Sequence, residues 1–191
     1  ELTEAQLQAW VSELRDVSGP AMNANRTMGA LGGIVASRIA RAFDIGGPSF
    51  TLSSEESSGL RSLEAGVRAL QRGEINTAVV GAVDLASDIR SVAGLGEVIS
   101  DDFIIGEGAA ALILKRYDDA VEDGDRIYSL IKGFGAASGG ETASNLPEVC
   151  SYEKALERST LDADISLDSI SLVELCGNSS LANADREAEV I

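Results

Sequence analysis

The sequence contains no histidine. That excludes a histidine triad, a histidine general base and a histidine-ligated metal within this chain. Aromatic residues are scarce at 4%, so any core has to be built from Ala, Val, Ile and Leu. Cys150 and Cys176 are the only cysteines. Two residues that far apart match neither a disulfide framework nor a zinc ligand set. No metal or other cofactor is expected, and a reducing, cytoplasmic setting is the simpler reading. Basic residues number 15 against 31 acidic ones, for a net charge of −16. Phosphate-backbone binding needs clustered Lys and Arg, so nucleic acid is not an expected partner. An anionic membrane surface is disfavoured for the same reason. The longest apolar run, Ala109 to Leu114, is far too short for a membrane span, and no signal-peptide pattern opens the chain.

The remainder is rich in small apolar residues, with 20 glycines among 191 residues. A chain of this length hides roughly 70% of its unfolded surface without needing staples. Thr3 and Gln6 form a capping-box pattern ahead of a helix over 2–17, with Leu7, Trp10, Val11 and Leu14 on one face. A second helix is predicted from Met28 to Phe43. Its Gly29, Gly32 and Gly33 are costly in a helix and imply another backbone packed close by. After the Gly46-Gly47-Pro48 turn, Ser49 to Ser53 alternates like a short strand. A helix through Arg72 follows, with Leu60, Leu63, Val67 and Leu70 as its apolar stripe.

Thr77 to Val83 and Ala109 to Lys115 read as buried strands of parallel type. Residues 84–105 read as a long connection, 120–124 as an acidic turn, and Ile127 to Phe134 as a third strand. Gly133 to Pro147 reads as a loop, Ser151 to Arg158 as a short helix, Ser171 to Cys176 as a fourth strand, and Asn183 to Val190 as a further helix. Alternating strands and helices give an α/β class with at least partly parallel pairing. The loop over 133–147 is the expected boundary between two halves.

Several motifs lead nowhere. Gly133 to Gly139 has the wrong spacing for G-x-G-x-x-G. Asn25-Arg26-Thr27 and Asn178-Ser179-Ser180 match the glycosylation pattern without a secretory signal. The informative stretch is Gly47-Pro48-Ser49-Phe50-Thr51-Leu52-Ser53-Ser54-Glu55-Glu56-Ser57-Ser58-Gly59-Leu60. A residue at a sharp bend into a helix faces unpaired N–H groups at the positive helix end. Nucleophiles are placed there because that field lowers a thiol pKa and stabilises an oxyanion. The routine alternative is that these serines and glutamates cap the helix.

The same stretch resembles β-ketoacyl synthases. It shares with them Gly47-Pro48-Ser49, a bend, Ser57-Ser58 and Leu60. Ala69-Leu70-Gln71-Arg72-Gly73-Glu74 and Ala78-Val79-Val80-Gly81-Ala82-Val83 then follow in the family's order. Asn25-Arg26 to Phe43-Asp44 resembles the region that precedes the bend. Gly106-Glu107-Gly108 to Lys115, and Ile170 to Ser180, resemble two later strands. The resemblance implies a thiolase-like fold, an α/β structure layered α-β-α-β-α in two related halves. It also implies that only part of the full domain is present: an incomplete first half with crossover strands over 1–135, and the start of the second half over 136–191.

The departures carry the functional expectation. Glu56 stands where the family keeps its nucleophilic cysteine, and Cys176 where it keeps its first catalytic histidine. A carboxylate accepts an acyl group only as a reactive anhydride, and its charge opposes an oxyanion beside it. A thiol does not replace imidazole as a paired donor and acceptor. The resemblance narrows to chain length factors, most like that region of bacterial polyunsaturated fatty acid synthases. These lack the nucleophile, pair with an active ketosynthase in a pseudo-symmetric dimer, and shape the tunnel for an acyl chain delivered on acyl carrier protein. Two rival readings stand beside this one, a malonyl-carrier-protein decarboxylase and a purely structural dimer partner.

Overall fold

A computed structural model describes residues 3–19, 23–85, 106–139, 148–175 and 188–190. The chain divides into two units, Glu1–Glu55 and Glu56–Ile191.

In the first unit, helix α1 spans Glu4–Val17. Its capping box forms as the sequence predicts: Thr3 N–H donates to Gln6 Oε1 at 2.9 Å, and Gln6 N–H donates to Thr3 Oγ1 at 3.4 Å. Asn23 caps α2, Ala24–Gly29, by accepting from Arg26 N–H at 2.9 Å. Helix α3 spans Ile34–Ala42. The predicted single helix from Met28 to Phe43 is therefore two, broken at 30–33. Adjacent Gly32 and Gly33 remove too much helix propensity for one rod to persist. Among the described residues, no atom lies within 4 Å of a Cβ built on Gly29, Gly32 or Gly33, and Gly32 and Gly33 sit at the break between α2 and α3. No strand forms over 49–53. Alternation makes a segment able to pair, but a strand also needs a neighbour, and among the described residues the ladder belongs to two later strands.

A 3₁₀ turn, Glu55–Ser57, begins on the last residue of the first unit and runs into α4 of the second, Ser58–Gln71. Strand β1, Thr77–Asp84, follows, and then β2, Gly108–Lys115. They pair antiparallel, from Thr77 opposite Lys115 to Asp84 opposite Gly108. The parallel expectation fails for this pair because a continuous apolar run reports apolar faces and carries no direction. The two-residue period sets Ala78, Val80 and Ala82 beside Leu114, Leu112 and Ala110 on the face that meets α4. A Cβ on Gly66 would stand 2.7 Å from Val80 Cγ2. Glycine costs about 1 kcal/mol inside a helix, and here it lets α4 lie directly on the sheet. Leu70, 4% exposed, is the largest buried apolar residue among those described. On the opposite face Val79, Val83 and Ile113 remain exposed, contrary to the buried-strand expectation.

Two further helices differ from the sequence reading. Helix α5, Tyr117–Glu122, overlaps the acidic turn expected over 120–124, with Asp118 and Asp119 in its first turn. Those carboxylates favour the positive end of a helix. Helix α6 spans Val149–Ala163 and exceeds its predicted end because Asp164 closes it in the left-handed region at φ 53°, which aspartate tolerates. No strand forms over 127–134 or 171–175. Instead, residues 133–139 run along α6.

Asp162 fastens three of these pieces. Its Oδ2 accepts from Arg68 of α4 at 2.8 Å and from the Phe134 N–H at 2.9 Å. The Arg68 guanidinium, helped by that N–H, holds the Asp162 carboxyl below the usual aspartate range. A depressed carboxylate pKa stabilises the fold above the unfolded value, and that contribution is lost as pH falls through the folded one. Asp162→Asn will therefore be less stable than the parent at neutral pH, with the difference closing below about pH 4. Urea midpoints measured from pH 7 to pH 3 check this. A gap independent of pH would show that the carboxylate charge is irrelevant.

Candidate functional site

Glu56 lies in the 3₁₀ turn that leads into α4. The residue before it, Glu55, has φ 50°, a left-handed conformation uncommon for a side chain of this kind. The backbone therefore bends sharply one residue ahead of Glu56. Ser57 is the N-cap of α4, yet its side chain makes no capping hydrogen bond, and no acidic residue occupies the first helical turn.

Glu56 lines a cavity of about 300 Å³ with Gly59, Leu60, Leu63, Val80, Gly81, Ala82, Ala110 and Leu112. The helix supplies one wall and the strand pair the other. A Cβ on Gly59 would meet Ala82 Cβ at 3.1 Å, so small residues on both sides keep the walls close. Apart from Glu56, the lining side chains are entirely apolar. Such a groove fits an aliphatic group, with one carboxylate beside it. The contribution of Val80, Ala82, Ala110 and Leu112 was not assigned from the sequence. Its signal is the two-residue period, which becomes readable once the register with β2 is known.

The other candidate, Cys176, lies outside the described residues. Cys150 stands on α6, where its thiol donates to Glu148 Oε2 at 3.2 Å. A second cavity, lined by Asn76, Lys115, Arg116, Asp119, Glu122 and Asp123, has its cations already engaged. Lys115 Nζ donates to Asp123 and, at 2.7 Å, to Asp125. Those carboxylates raise the Lys115 pKa. Arg116 pairs with Asp119 at 2.6 Å.

Residues 5–120 match the model of the β-ketoacyl synthase N-terminal domain. The chain belongs to the β-ketoacyl synthase family. It is 34% identical over 149 residues to the phthioceranic/hydroxyphthioceranic acid synthase of Mycobacterium tuberculosis, a match that covers 68% of this chain and 7% of that protein. It is 30% identical over 158 residues to polyketide synthase PksL of Bacillus subtilis, covering 75% of this chain and 4% of that one. The chain thus spans less than a tenth of these curated relatives.

Among solved structures, the ketosynthase from module 6 of the Bacillus subtilis bacillaene synthase superposes with a TM-score of 0.77 at 29% identity, covering 89% of this chain and 34% of that one. A β-ketoacyl synthase from Burkholderia phymatum gives 0.83 at 21% identity, covering 96% and 49%, and supports the fold alone. The fold is therefore that of the thiolase-like ketosynthases, of which this chain spans a part.

Proposed function

We propose that this chain is part of a chain-length-factor-like ketosynthase domain that makes no carbon–carbon bond itself. On this reading it helps shape the channel for an acyl chain in polyunsaturated fatty acid or polyketide synthesis. The observation that carries the reading is Glu56, a carboxylate at the bend into α4 beside an apolar cavity. An active ketosynthase needs an acylated thiolate and an oxyanion site there. A carboxylate supplies neither, and its charge repels the oxyanion. Cys176 takes the place of the first catalytic histidine, and residues 1–135 and 136–191 belong to successive halves of the fold. The partners are an active ketosynthase and an acyl carrier protein, in the cytoplasm. One structure of similar fold is described as a type II acyl carrier protein in complex with its ketosynthase bound to a hexaketide.

Treatment of the complete multienzyme with an acyl-thioester analogue is expected to acylate the neighbouring ketosynthase and leave residue 56 unmodified by peptide mass spectrometry. A stoichiometric adduct at residue 56 would sink the proposal. Carbon dioxide release from malonyl carrier protein that disappears in Glu56→Ala but survives in Glu56→Gln would transfer the chain to the decarboxylase reading. Gln still donates a hydrogen bond without charge.

A further inference from the structure

Two contacts fix how closely α4 lies on β1, and glycine makes both. A Cβ on Gly59 would stand 3.1 Å from Ala82 Cβ. A Cβ on Gly66 would stand 2.7 Å from Val80 Cγ2, 3.3 Å from Leu114 Cδ1 and 3.6 Å from Ala78 Cβ. The rise along α4 from Gly59 to Gly66 is about 10 Å. Val80 and Ala78 lie about 7 and 13 Å from Ala82 along the strand. The helix therefore runs antiparallel to β1 and touches it at both ends of this span. All of these residues belong to the second unit, and the distances between them are internal packing distances.

The two contacts bear on the cavity beside Glu56. Gly59, Leu60 and Leu63 of α4 line it with Val80 and Ala82 of β1, whereas Gly66, Ala78 and Leu114 do not. The cavity thus ends where Gly66 seats on Val80, and Gly59 is part of its wall near Glu56. A methyl at 59 would stand between two lining residues and so fill the cavity. A methyl at 66 would instead strike Val80, whose branched side chain is held to few rotamers, with Leu114 close behind. There α4 would have to lift off the sheet, and the cavity would lengthen towards Ala78 and Leu114. One added methyl therefore acts on the cavity in opposite senses at the two positions.

We infer that Gly59 and Gly66 determine which aliphatic groups this cavity accepts. Gly59 holds the end beside Glu56 open. Gly66 is a positioning residue that closes the far end by seating α4 on Val80. The inference rests on the acyl-channel function proposed above and names the residues that set the channel's dimensions there.

Uncharged alkyl alcohols probe the cavity without repulsion from Glu56. Methyl NMR of the full chain with labelled leucines is expected to show 1-octanol shifting the Leu60, Leu63 and Leu112 signals. The branched 3,7-dimethyl-1-octanol should bind about tenfold more weakly, the scale on which an apolar pocket discriminates added methyl groups. Gly59→Ala should weaken 1-octanol binding by about tenfold on the same scale. Gly66→Ala should narrow the difference between the two alcohols to about threefold or less. Circular dichroism at the titration temperature confirms that each variant is folded. Glycines with a merely structural role would lower the stability of both variants and leave the preference between the alcohols unchanged. That result, or a shift in the same direction in both variants, overturns the inference and leaves the acyl-channel reading standing. If Gly66→Ala does not fold, Gly59→Ala decides alone, and an unchanged affinity for 1-octanol overturns the inference. A parent that binds neither alcohol at these leucines removes the inference and the acyl-channel reading together.

Discussion

Gly135→Ala is expected to be the most damaging single-methyl substitution in the second unit, costing more than about 3 kcal/mol. A Cβ at this position would stand 1.8 Å from the Ala155 carbonyl oxygen and 2.5 Å from the Ser159 nitrogen. Both are backbone atoms of α6. A side chain rotates away from an intruding methyl at small cost, whereas a helical backbone moves only by breaking its own hydrogen bonds. Gly133 poses the same problem less severely, with Ala163 N at 2.5 Å and Ser159 O at 2.7 Å. At Gly139 the nearest atom is the Ser151 hydroxyl at 2.3 Å, a side-chain atom free to swing.

The three alanine variants should therefore rank Gly135, Gly133, Gly139 in descending loss of stability. The loss at Gly139 should be about 1 kcal/mol or less, the small end of the range for added bulk. Equal losses at all three positions would show that residues 133–139 do not lie on α6. Chemical denaturation followed by circular dichroism gives the ranking. A large loss at Gly135 also predicts release of Asp162 from the Phe134 N–H, and with it a weaker acid dependence.

What was legible in the sequence follows from the range over which each signal acts. The capping box at Thr3 and Gln6 is a contact across three residues, so the sequence alone settles it. The stripe Leu60, Leu63, Val67, Leu70 likewise places α4, and the bend before it was visible in the serines and acids of 53–58. The apolar runs of β1 and β2 were found at their observed positions, but their direction was not. Pairing is decided by partners far along the chain, and an apolar run is the same read either way. Residues 127–134 have strand composition, yet Gly133 and Gly135 serve a helix that lies beyond residue 148. The acidic turn expected over 120–124 overlaps the end of α5, Tyr117–Glu122, because acids suit both a turn and the first turn of a helix. Glu56 was identifiable by position in a family motif. The apolar walls around it required the register of β1 on β2.

Arg116 holds the scaffold of that cavity from behind, and its removal is the second large effect. Its Nη1 donates to the carbonyls of Leu70 at 3.1 Å and Ile75 at 2.8 Å, and its Nη2 donates to Asn76 Oδ1 at 2.8 Å. Leu70 is the penultimate residue of α4, and its carbonyl also accepts from the Arg72 and Gly73 N–H groups of the closing turn. One guanidinium thus ties the end of α4 to the turn into β1 and, through Asp119, to α5.

Arg116→Ala should cost about 2–4 kcal/mol, since charge-assisted hydrogen bonds contribute about 1.5–3 kcal/mol each and are not additive. Arg116→Lys should recover less than half of that. A single ammonium does not reproduce the planar fork that reaches two carbonyls and an amide at once. Urea denaturation of the three proteins separates the possibilities. A lysine variant as stable as the parent would mean that charge alone suffices and that the fork geometry is incidental. If the fork is required, the position of α4 on β1 depends on it. On the acyl-channel function proposed above, Arg116→Lys should then alter the distribution of product lengths of the complete multienzyme even though residue 116 does not line the cavity beside Glu56.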